Sequence, residues 1–277
     1  MNFPSSQKTV AIIPARYSST RFPGKPLAEI AGKPMIQHVW ERVKQTTSID
    51  QILVATDDER IMETVNNFGG EAVLTSKKHE TGTDRIVEVV QGISCSWVLN
   101  IQGDEPTVLP EDLDRLIKQA KIKKTKAATL IFNINGQKQL NDPNIVKVTV
   151  NLDNMALYFS RSPIPYNRSG ISRDCKIWRH LGVYLFQRNF LIEFSQWPRS
   201  NLEIAEELEQ LRILENGGSL LCVEAENEGV SVDIPQDLVF VENLINTLSF
   251  KNHLFNEENK TSFRSSISSN FKHCKIL

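Results

Sequence analysis

The sequence has no long hydrophobic run, and no apolar stretch approaches the roughly 20 residues that a membrane-spanning helix needs. Residues 1–8 also lack the apolar core of a secretory signal peptide, so we expect a cytoplasmic protein. Neither sign of charge is in excess, because the 277 residues carry a formal net charge of −1. Nucleic-acid-binding proteins are typically basic. We therefore expect neither membrane insertion nor nucleic-acid binding.

Cysteine is scarce and scattered. The four cysteines are Cys95, Cys175, Cys222 and Cys274. No two of them form a CxxC pair, which indicates reduced, mostly buried thiols and argues against a zinc site. The familiar phosphate-binding loops are missing as well, since there is no G-x-G-x-x-G and Gly24-Lys25 is followed by Pro26. A phosphate site in this chain has to be built in another way.

Strand-like and helix-like patterns alternate in the first half of the chain. Short β-type segments lie at 8–14, 51–55, 71–74 and 96–101, and helical periodicity is present at 34–46, 56–68, 82–91 and 110–123. This alternation predicts βαβ units and a mostly parallel sheet with right-handed crossovers. The later strand-like segments have little helix between them and lie at 127–133, 146–151, 156–160 and 180–186. They predict a mixed β insertion that serves as a lid or a dimer surface.

The loop after the first predicted strand is rich in cations. Arg16, Arg21 and Lys25 lie in it together with hydroxyl groups at 18–20 and with Gly24. Because each guanidinium can bind two oxygens and the ammonium adds a point charge, the loop suits a triphosphate. A charged loop that serves only solubility is the alternative. The carboxyl end of a strand is where open α/β sheets bind ligands, and this favours the phosphate site.

Two carboxylates in later loops are candidates for a magnesium site. Asp104 follows the fourth predicted strand, and Asp233 precedes a helical segment that starts at Pro235. Magnesium is usually held by one or two protein carboxylates, with phosphates and water completing its shell. Simpler interpretations are a turn before Pro106 for Asp104 and a helix cap for Asp233. The residues alone leave both choices open.

Two further segments combine hydroxyl, basic and aromatic groups. Residues 81–85 put Gly82 and Arg85 at a helix start, which suits an anion or a base edge, or else forms an ordinary N-cap with an exposed arginine. Strand alternation places His180 and Tyr184 on one face. A lone strand histidine is usually a core residue, but the tyrosine on the same face favours a polar pocket.

A helix predicted over 200–216 starts at a capping box, Ser200 to Glu203. Its expected buried stripe consists of Ile204, Ala205, Leu208 and Leu211. Arg212 falls inside this stripe and Glu209 at its margin. A charged pair on a core-facing surface is costly, so the pair is either structural or lines a site.

Eight segments of the chain form one ordered pattern. They are Pro14–Pro26, Ala55–Asp57, Thr81–Arg85, Asn100–Pro106, Asn144–Val148, Tyr158–Pro165, Arg179–Tyr184 and Leu208–Arg212. The pattern resembles the signature of the 3-deoxy-D-manno-octulosonate (KDO) cytidylyltransferases, or CMP-KDO synthetases, over residues 8–247. The resemblance implies an α/β fold of the nucleotide-diphospho-sugar transferase type, with a mostly parallel sheet, a mixed β insertion subdomain and a homodimer.

The resemblance also implies transfer of CMP from CTP to the anomeric hydroxyl of KDO, with release of pyrophosphate, for lipopolysaccharide biosynthesis. The implied CTP-binding residues are Ala15, Arg16, Arg21, Lys25, Arg85 and Gln102. Arg16, Lys25 and Asp104 would act in catalysis, and Asp104 and Asp233 would hold Mg²⁺. The implied sugar-binding residues are Arg161, His180, Tyr184, Glu209 and Gln210.

Two other functions fit the same residues: a cytidylyltransferase for sialic acid or 8-amino-KDO, and a catalytically silent nucleotide-binding paralogue. We expect one cytidylyltransferase domain over 1–250. Within it, 8–126 would bind the nucleotide, 127–199 would form the mixed β, sugar and dimer part, and 200–250 would close the domain. Residues 251–277 form a polar tail without a counterpart in the family pattern.

Overall fold

The first strand, β1 (Thr9–Ala15), is apolar on both faces and lies in the middle of the sheet. A computed structural model describes residues 7–18, 22–134, 136–166, 168 and 176–247 of the chain. Ala11 and Ile13 face one hydrophobic cluster and Val10 and Ile12 face a second, and all four are fully buried. Burial on both faces is what a central strand of a parallel sheet requires.

The remaining elements follow in chain order. The strands are β2 (Glu29–Ile30), β3 (Lys33–Pro34), β4 (Gln51–Thr56), β5 (Ala72–Leu74), β6 (Trp97–Asn100), β7 (Ala127–Ile134), β8 (Lys147–Val150), β9 (Ala156–Ser160), β10 (Ile177–Gln187) and β11 (Leu221–Glu224). The helices are α1 (Met35–Lys44), α2 (Glu59–Asn67), α3 (Gly82–Gln91), α4 (Pro110–Lys123), α5 (Gln137–Asn141), α6 (Arg188–Ser195), α7 (Asn201–Glu206), α8 (Leu211–Glu215) and α9 (237–247). Lys25–Leu27 forms one 3-10 turn.

Within the described residues, nine strands form one sheet, and its main path runs β11-β7-β10-β6-β1-β4-β5. The pairs β1–β4, β1–β6, β4–β5 and β7–β11 are parallel, whereas β10 is antiparallel to both β6 and β7. Along this path, β10 therefore runs opposite to all the other strands. The prediction of a mostly parallel sheet is confirmed.

The reversed strand β10 extends the sheet beyond the carboxyl end of β6. Its residues 184–187 pair with β6, while Trp178 and Arg179 pair with β8. The β8–β9 hairpin is thereby attached next to the carboxyl ends of the parallel strands. The four strands predicted between residues 127 and 186 thus all join the main sheet.

Helices cover both faces of the sheet. α1, α2 and α4 pack on one face through residues such as Val39, Ile61 and Leu116. On the other face, α3, α6 and α8 pack through Ile86, Phe194 and Leu211. The result is a three-layer α/β architecture.

The single helix predicted over 200–216 is wrong. The chain forms two short helices, α7 and α8, because Glu207 adopts a left-handed conformation with φ of 52° and ends α7. Ile204 is 56% exposed, so the predicted buried stripe is not continuous, although Leu208 and Leu211 are buried. The predicted capping box from Ser200 to Glu203 is present.

Two smaller sequence predictions concern thiols and membranes. Cys95 and Cys222 are free thiols, and burial raises the pKa of Cys222 to about 12. Cys175, Cys274 and the tail from 251 lie outside the described residues. In the part of the chain that the structure describes, no helix is long and apolar enough to cross a bilayer.

Candidate active site

The loop after β1 turns back sharply and delivers Lys25 to the end of the strand. Gly24 makes this possible with a φ of 71°, and its amide donates to the Tyr17 carbonyl at 2.9 Å. A Cβ at Gly24 would lie 3.1 Å from the Tyr17 ring, so both the backbone angle and the available space favour glycine here. Arg16 is exposed immediately after the strand. Arg21 lies outside the described residues.

Lys25 joins three loops that are far apart in sequence. Its Nζ donates to Asp104 Oδ2 at 2.5 Å and to the Val232 carbonyl at 2.9 Å. The Val232 amide in turn donates to the Asp104 carbonyl at 3.0 Å. These bonds bring Asp233, which is exposed, to within one residue of the Lys25–Asp104 pair.

The donor set around Asp104 fits a magnesium ion that shares its ligands with phosphate. Among the described residues, no cluster of three or more His, Cys, Asp or Glu side chains could hold a metal alone. Asp104 and Asp233 would supply two hard oxygens, and phosphates and water would complete the shell. Burial, and to a lesser extent the neighbouring charge of Asp104, raises the pKa of Glu105 to about 8, so Glu105 is mostly neutral at physiological pH and adds little negative charge here.

A cavity of about 280 Å³ opens between the carboxyl ends of β1 and β6 and the start of α3. It is lined by Pro14, Ala15, Arg16, Lys25, Pro26, Met35, His79, Glu80, Thr81, Gly82, Arg85, Gln102, Gly103 and Asp104. Strand order reverses at β1, and crevices at such points are the usual ligand sites of open α/β sheets. Five of the six residues implied to bind CTP line this one cavity.

Arg85 and Gln102 lie at the end of the cavity that faces α3. Thr81 caps α3, as the simpler interpretation of this segment required. Arg85 is nevertheless not exposed: it is 2% accessible and donates to Asp57 Oδ2 at 2.8 Å and to Thr75 Oγ1 at 2.5 Å. Gln102 lies between Gly82 and Gly182. Asp57 was named only as part of the family pattern and was given no role, although its place directly after β4 could have suggested one.

The sugar-site candidates on β10 form an aromatic cluster. His180 and Tyr184 share a face, with ring centroids 5.2 Å apart, and the Phe159 ring lies 5.1 Å from His180. Burial, with a smaller effect of Arg179, lowers the pKa of His180 to about 3. Burial and the charge of Glu209 raise the pKa of Tyr184 well above its ordinary value. Both side chains are therefore neutral at physiological pH.

The remaining sugar-site candidates lie around the break between α7 and α8. Glu209 accepts a hydrogen bond from Thr83 Oγ1 at 2.6 Å, and burial raises its pKa. The Gln210 side chain is 4% exposed, yet its Nε2 has no hydrogen-bond partner among the described residues. A buried amide without a partner is costly, so this group requires a polar partner such as water or a ligand. Arg161 donates to the Glu206 carbonyl at 2.8 Å.

Arg212 and Glu209 do not form the close pair that the helical spacing suggested. Arg212 makes a bidentate pair with Glu203, with both hydrogen bonds at 2.7 Å, and its Nη2 is 3.7 Å from Glu209. Arg212 is thus structural. The hydrogen-bond partner of Glu209 is Thr83 on α3, next to the cavity.

Lys147 is a buried group that the motif analysis left without a role. It is fully buried, and its Nζ donates to the carbonyls of Asp142, Ile145 and Arg161 at 2.9, 2.6 and 2.5 Å. Burial lowers its pKa. Lys147 ties the 142–145 loop to the loop that carries Arg161. The sequence signal that could have identified this buried group is a lysine within an otherwise apolar, strand-like segment.

The three-layer fold and the cation-lined cavity define a nucleotidyltransferase-type α/β protein. Comparisons with known proteins agree. The cytidylyltransferase family model matches residues 10–227. A relative from Geobacter sulfurreducens is 46% identical over 82% of this chain and 95% of its own length, and one from Thermodesulfovibrio yellowstonii is 45% identical over 87% and 99%. Both are named 3-deoxy-manno-octulosonate cytidylyltransferase, and the chain belongs to this family.

Comparison with solved structures shows the same fold. The structure of CMP:2-keto-3-deoxy-manno-octonic acid synthetase complexed with CTP is 43% identical, with a TM-score of 0.83 over 87% of this chain and 99% of that one. A 4-diphosphocytidyl-2C-methyl-D-erythritol synthase has a TM-score of 0.59 at 17% identity, which shows a shared fold alone. The predicted nucleotide-diphospho-sugar transferase type of fold is confirmed.

Proposed function

We propose that this chain transfers CMP from CTP to the anomeric hydroxyl of KDO, releasing pyrophosphate, to supply lipopolysaccharide biosynthesis in the cytoplasm. The observation that carries the proposal is the Lys25–Asp104 pair at 2.5 Å in a cavity at the carboxyl ends of β1 and β6. Arg16 adds a second cation at the same strand end. A triphosphate with its counter-cation matches this arrangement of charges.

The nucleotide side of the reaction depends mainly on positioning and charge. The KDO hydroxyl oxygen attacks the α-phosphorus in line, and the bond from this phosphorus to the pyrophosphate oxygen breaks. Arg16 and Lys25 stabilise the negative charge that grows on the leaving pyrophosphate. We assign Arg21 to the same triphosphate by resemblance.

Asp104 and Asp233 are the residues that would hold Mg²⁺. When bound, the ion supplies charge neutralisation and makes the attacking hydroxyl more acidic. Lys25 bonds to Asp104 and to the Val232 carbonyl, which keeps both carboxylate loops in place. The role of Lys25, Asp104 and Asp233 is therefore to preorganise this end of the cavity.

The sugar side offers one cation and several neutral hydrogen-bonding groups. Arg161 is the cation suited to the KDO carboxylate. His180 and Tyr184 are neutral, so they suit sugar hydroxyls better than a carboxylate. The unpartnered amide of Gln210 supports a polar ligand on this side as well.

We also propose that the active form is a homodimer that assembles through the β8–β9 hairpin. Apart from its first residue, Ala156, whose amide donates to the Leu220 carbonyl at 2.8 Å, β9 pairs only with β8, so the rest of the strand forms a free sheet edge among the described residues. Leu157 on β9 is 60% exposed, and Leu152 in the hairpin turn is fully exposed. An apolar edge strand is a natural surface for a second copy of the chain.

Pyrophosphate release from CTP with KDO and Mg²⁺ tests the proposed reaction. Asp104→Asn should reduce the rate by about 100-fold or more, because it removes a charge at the reacting phosphates. Glu63→Gln is the matched control, since Glu63 is exposed on α2. Equal rates for wild type and Asp104→Asn would contradict the role of Asp104.

The same assay distinguishes the competing functions. Release with sialic acid or 8-amino-KDO, but not with KDO, would change the substrate and keep the reaction. CTP binding without release for any acidic sugar would identify a catalytically silent paralogue.

A further inference from the structure

A bulge in β10 surrounds the hydroxyl of Thr129 on β7. The pairing of β10 with β7 shifts register between Leu181 and Tyr184, and this shift is the bulge. Thr129 is fully buried, and its Oγ1 lies 2.8 Å from the Val183 carbonyl, 3.2 Å from the Leu181 carbonyl and 2.9 Å from His180 Nε2. Bulges commonly re-aim a side chain next to a functional site.

Counting protons assigns a direction to these bonds. A threonine hydroxyl has one hydrogen to donate, and a carbonyl can only accept. The shorter carbonyl contact, at 2.8 Å to Val183, takes that hydrogen. The lone pairs of Oγ1 then face His180 Nε2, which has to be the donor. His180 therefore carries its proton on Nε2.

The other ring nitrogen is then an acceptor. A neutral imidazole has one N–H and one lone pair, so protonation of Nε2 leaves the lone pair on Nδ1. Nδ1 makes no hydrogen bond within the described part of the chain, and His180 is partly exposed. Phe159 and Tyr184 hold the ring from two sides, while Arg179 is the charged group next to it in the strand.

We propose that Thr129 is a positioning residue that fixes His180 as the Nε2-protonated neutral tautomer, so that Nδ1 accepts a hydrogen bond from a hydroxyl of the sugar acid. The sugar contact rests on the proposed function, whereas the tautomer does not. As the neutral tautomer, His180 then offers no positive charge to the carboxylate. This arrangement favours specificity, because an acceptor fixed in the site discriminates against a sugar that lacks the matching hydroxyl.

Imidazole ¹⁵N NMR of the ligand-free protein tests the tautomer directly. The chain has five histidines, so the His180 signals are assigned by their loss in His180→Gln. We expect a protonated Nε2 and an unprotonated Nδ1 in the wild type. Thr129→Val, which keeps the shape and removes the hydroxyl, should shift the population toward Nδ1–H, and Thr129→Ser should retain the wild-type tautomer.

A wild-type spectrum with Nδ1–H would overturn the proposal, and it does so even if the valine variant fails to fold. An unchanged tautomer in a folded Thr129→Val variant would overturn it as well, because the hydroxyl would then not set the proton position.

Kinetics test the sugar contact separately. Thr129→Val should raise KM for KDO about 10-fold with KM for CTP changed less than about 2-fold, and Thr129→Ser should restore most of the loss. Equal effects on both KM values would indicate general damage and overturn the sugar contact. A wild type that releases no pyrophosphate with any acidic sugar would refute the proposed function, and the NMR result would still decide the tautomer.

Discussion

Glu203→Gln should strongly destabilise the protein, because it leaves the charge of Arg212 without its main partner. The two side chains are 4% and 8% exposed, and two hydrogen bonds of 2.7 Å join them. Arg212 also donates to the Trp197 carbonyl at 2.8 Å and lies over the Phe194 ring, so it cannot turn to solvent without breaking the core.

The magnitude follows from the burial of the pair. Breaking a buried ion pair by removing one partner costs about 3–5 kcal/mol. Glu209 remains 3.7 Å from Arg212 and can offset part of the charge, so we expect the lower end, about 3 kcal/mol. With an unfolding entropy of about 2.1 cal/mol/K per residue over 277 residues, this corresponds to a drop in Tm of about 5 °C.

Urea unfolding followed by tryptophan fluorescence measures the change. Arg199→Gln is the matched control, because Arg199 contacts the same carboxylate at 3.5 Å but is 60% exposed, and its loss should cost less than about 1 kcal/mol. The double variant Glu203→Leu with Arg212→Met should recover most of the stability, since it buries no charge. A cost below about 1 kcal/mol for Glu203→Gln, or an equal cost for Arg199→Gln, would refute the reasoning.

Two further predictions concern pH and assembly. His180 has a pKa of about 3 in the folded state against an ordinary 6.5, so the unfolded chain takes up the proton first as pH falls. Its contribution to stability is therefore complete above pH 6.5 and lost between 6.5 and about 3. His180→Gln should flatten the dependence of the unfolding free energy on pH in that window, and an unchanged slope would argue against a buried neutral imidazole. Leu157→Lys should shift the protein toward monomer in sedimentation velocity, whereas Leu74→Lys, on the opposite sheet edge at 50% exposure, should not. Identical sedimentation of both variants would contradict assembly through β9.

Local signals were sufficient to predict the strands and loops that form the candidate nucleotide site. β1 was predictable because a run of buried apolar residues ends abruptly in a cationic loop, and Asp104 because it follows another such strand. Both belong to strands whose carboxyl ends meet at one sheet edge. The contact of Lys25 with the Val232 carbonyl joins positions 207 residues apart, and no local pattern encodes it.

The candidate sugar site was harder to predict because backbone irregularities shape it. The alternation of side chains with a period of two residues identifies β10 as a strand, but it does not reveal that the strand runs opposite to β6. The left-handed turn at Glu207 ends one helix early and changes which side chains face the core. Arg212 therefore makes its closest pair with Glu203, nine positions earlier, and the spacing argument based on one continuous helix identified only the weaker partner, Glu209, at 3.7 Å.

The strand order also has a consequence for synthesis of the chain on the ribosome. The strands β6, β1, β4 and β5 all lie before residue 101, so this part of the sheet can pair early, while β10, the outer neighbour of β6, is complete only about 90 residues later. At about 5–20 residues per second, this delay is about 5–20 s. During it, β6 has no outer neighbour, and its apolar edge with Val98 and Leu99 is open to other nascent chains. Arrival of the reversed strand therefore completes the candidate sugar site and also covers this open edge.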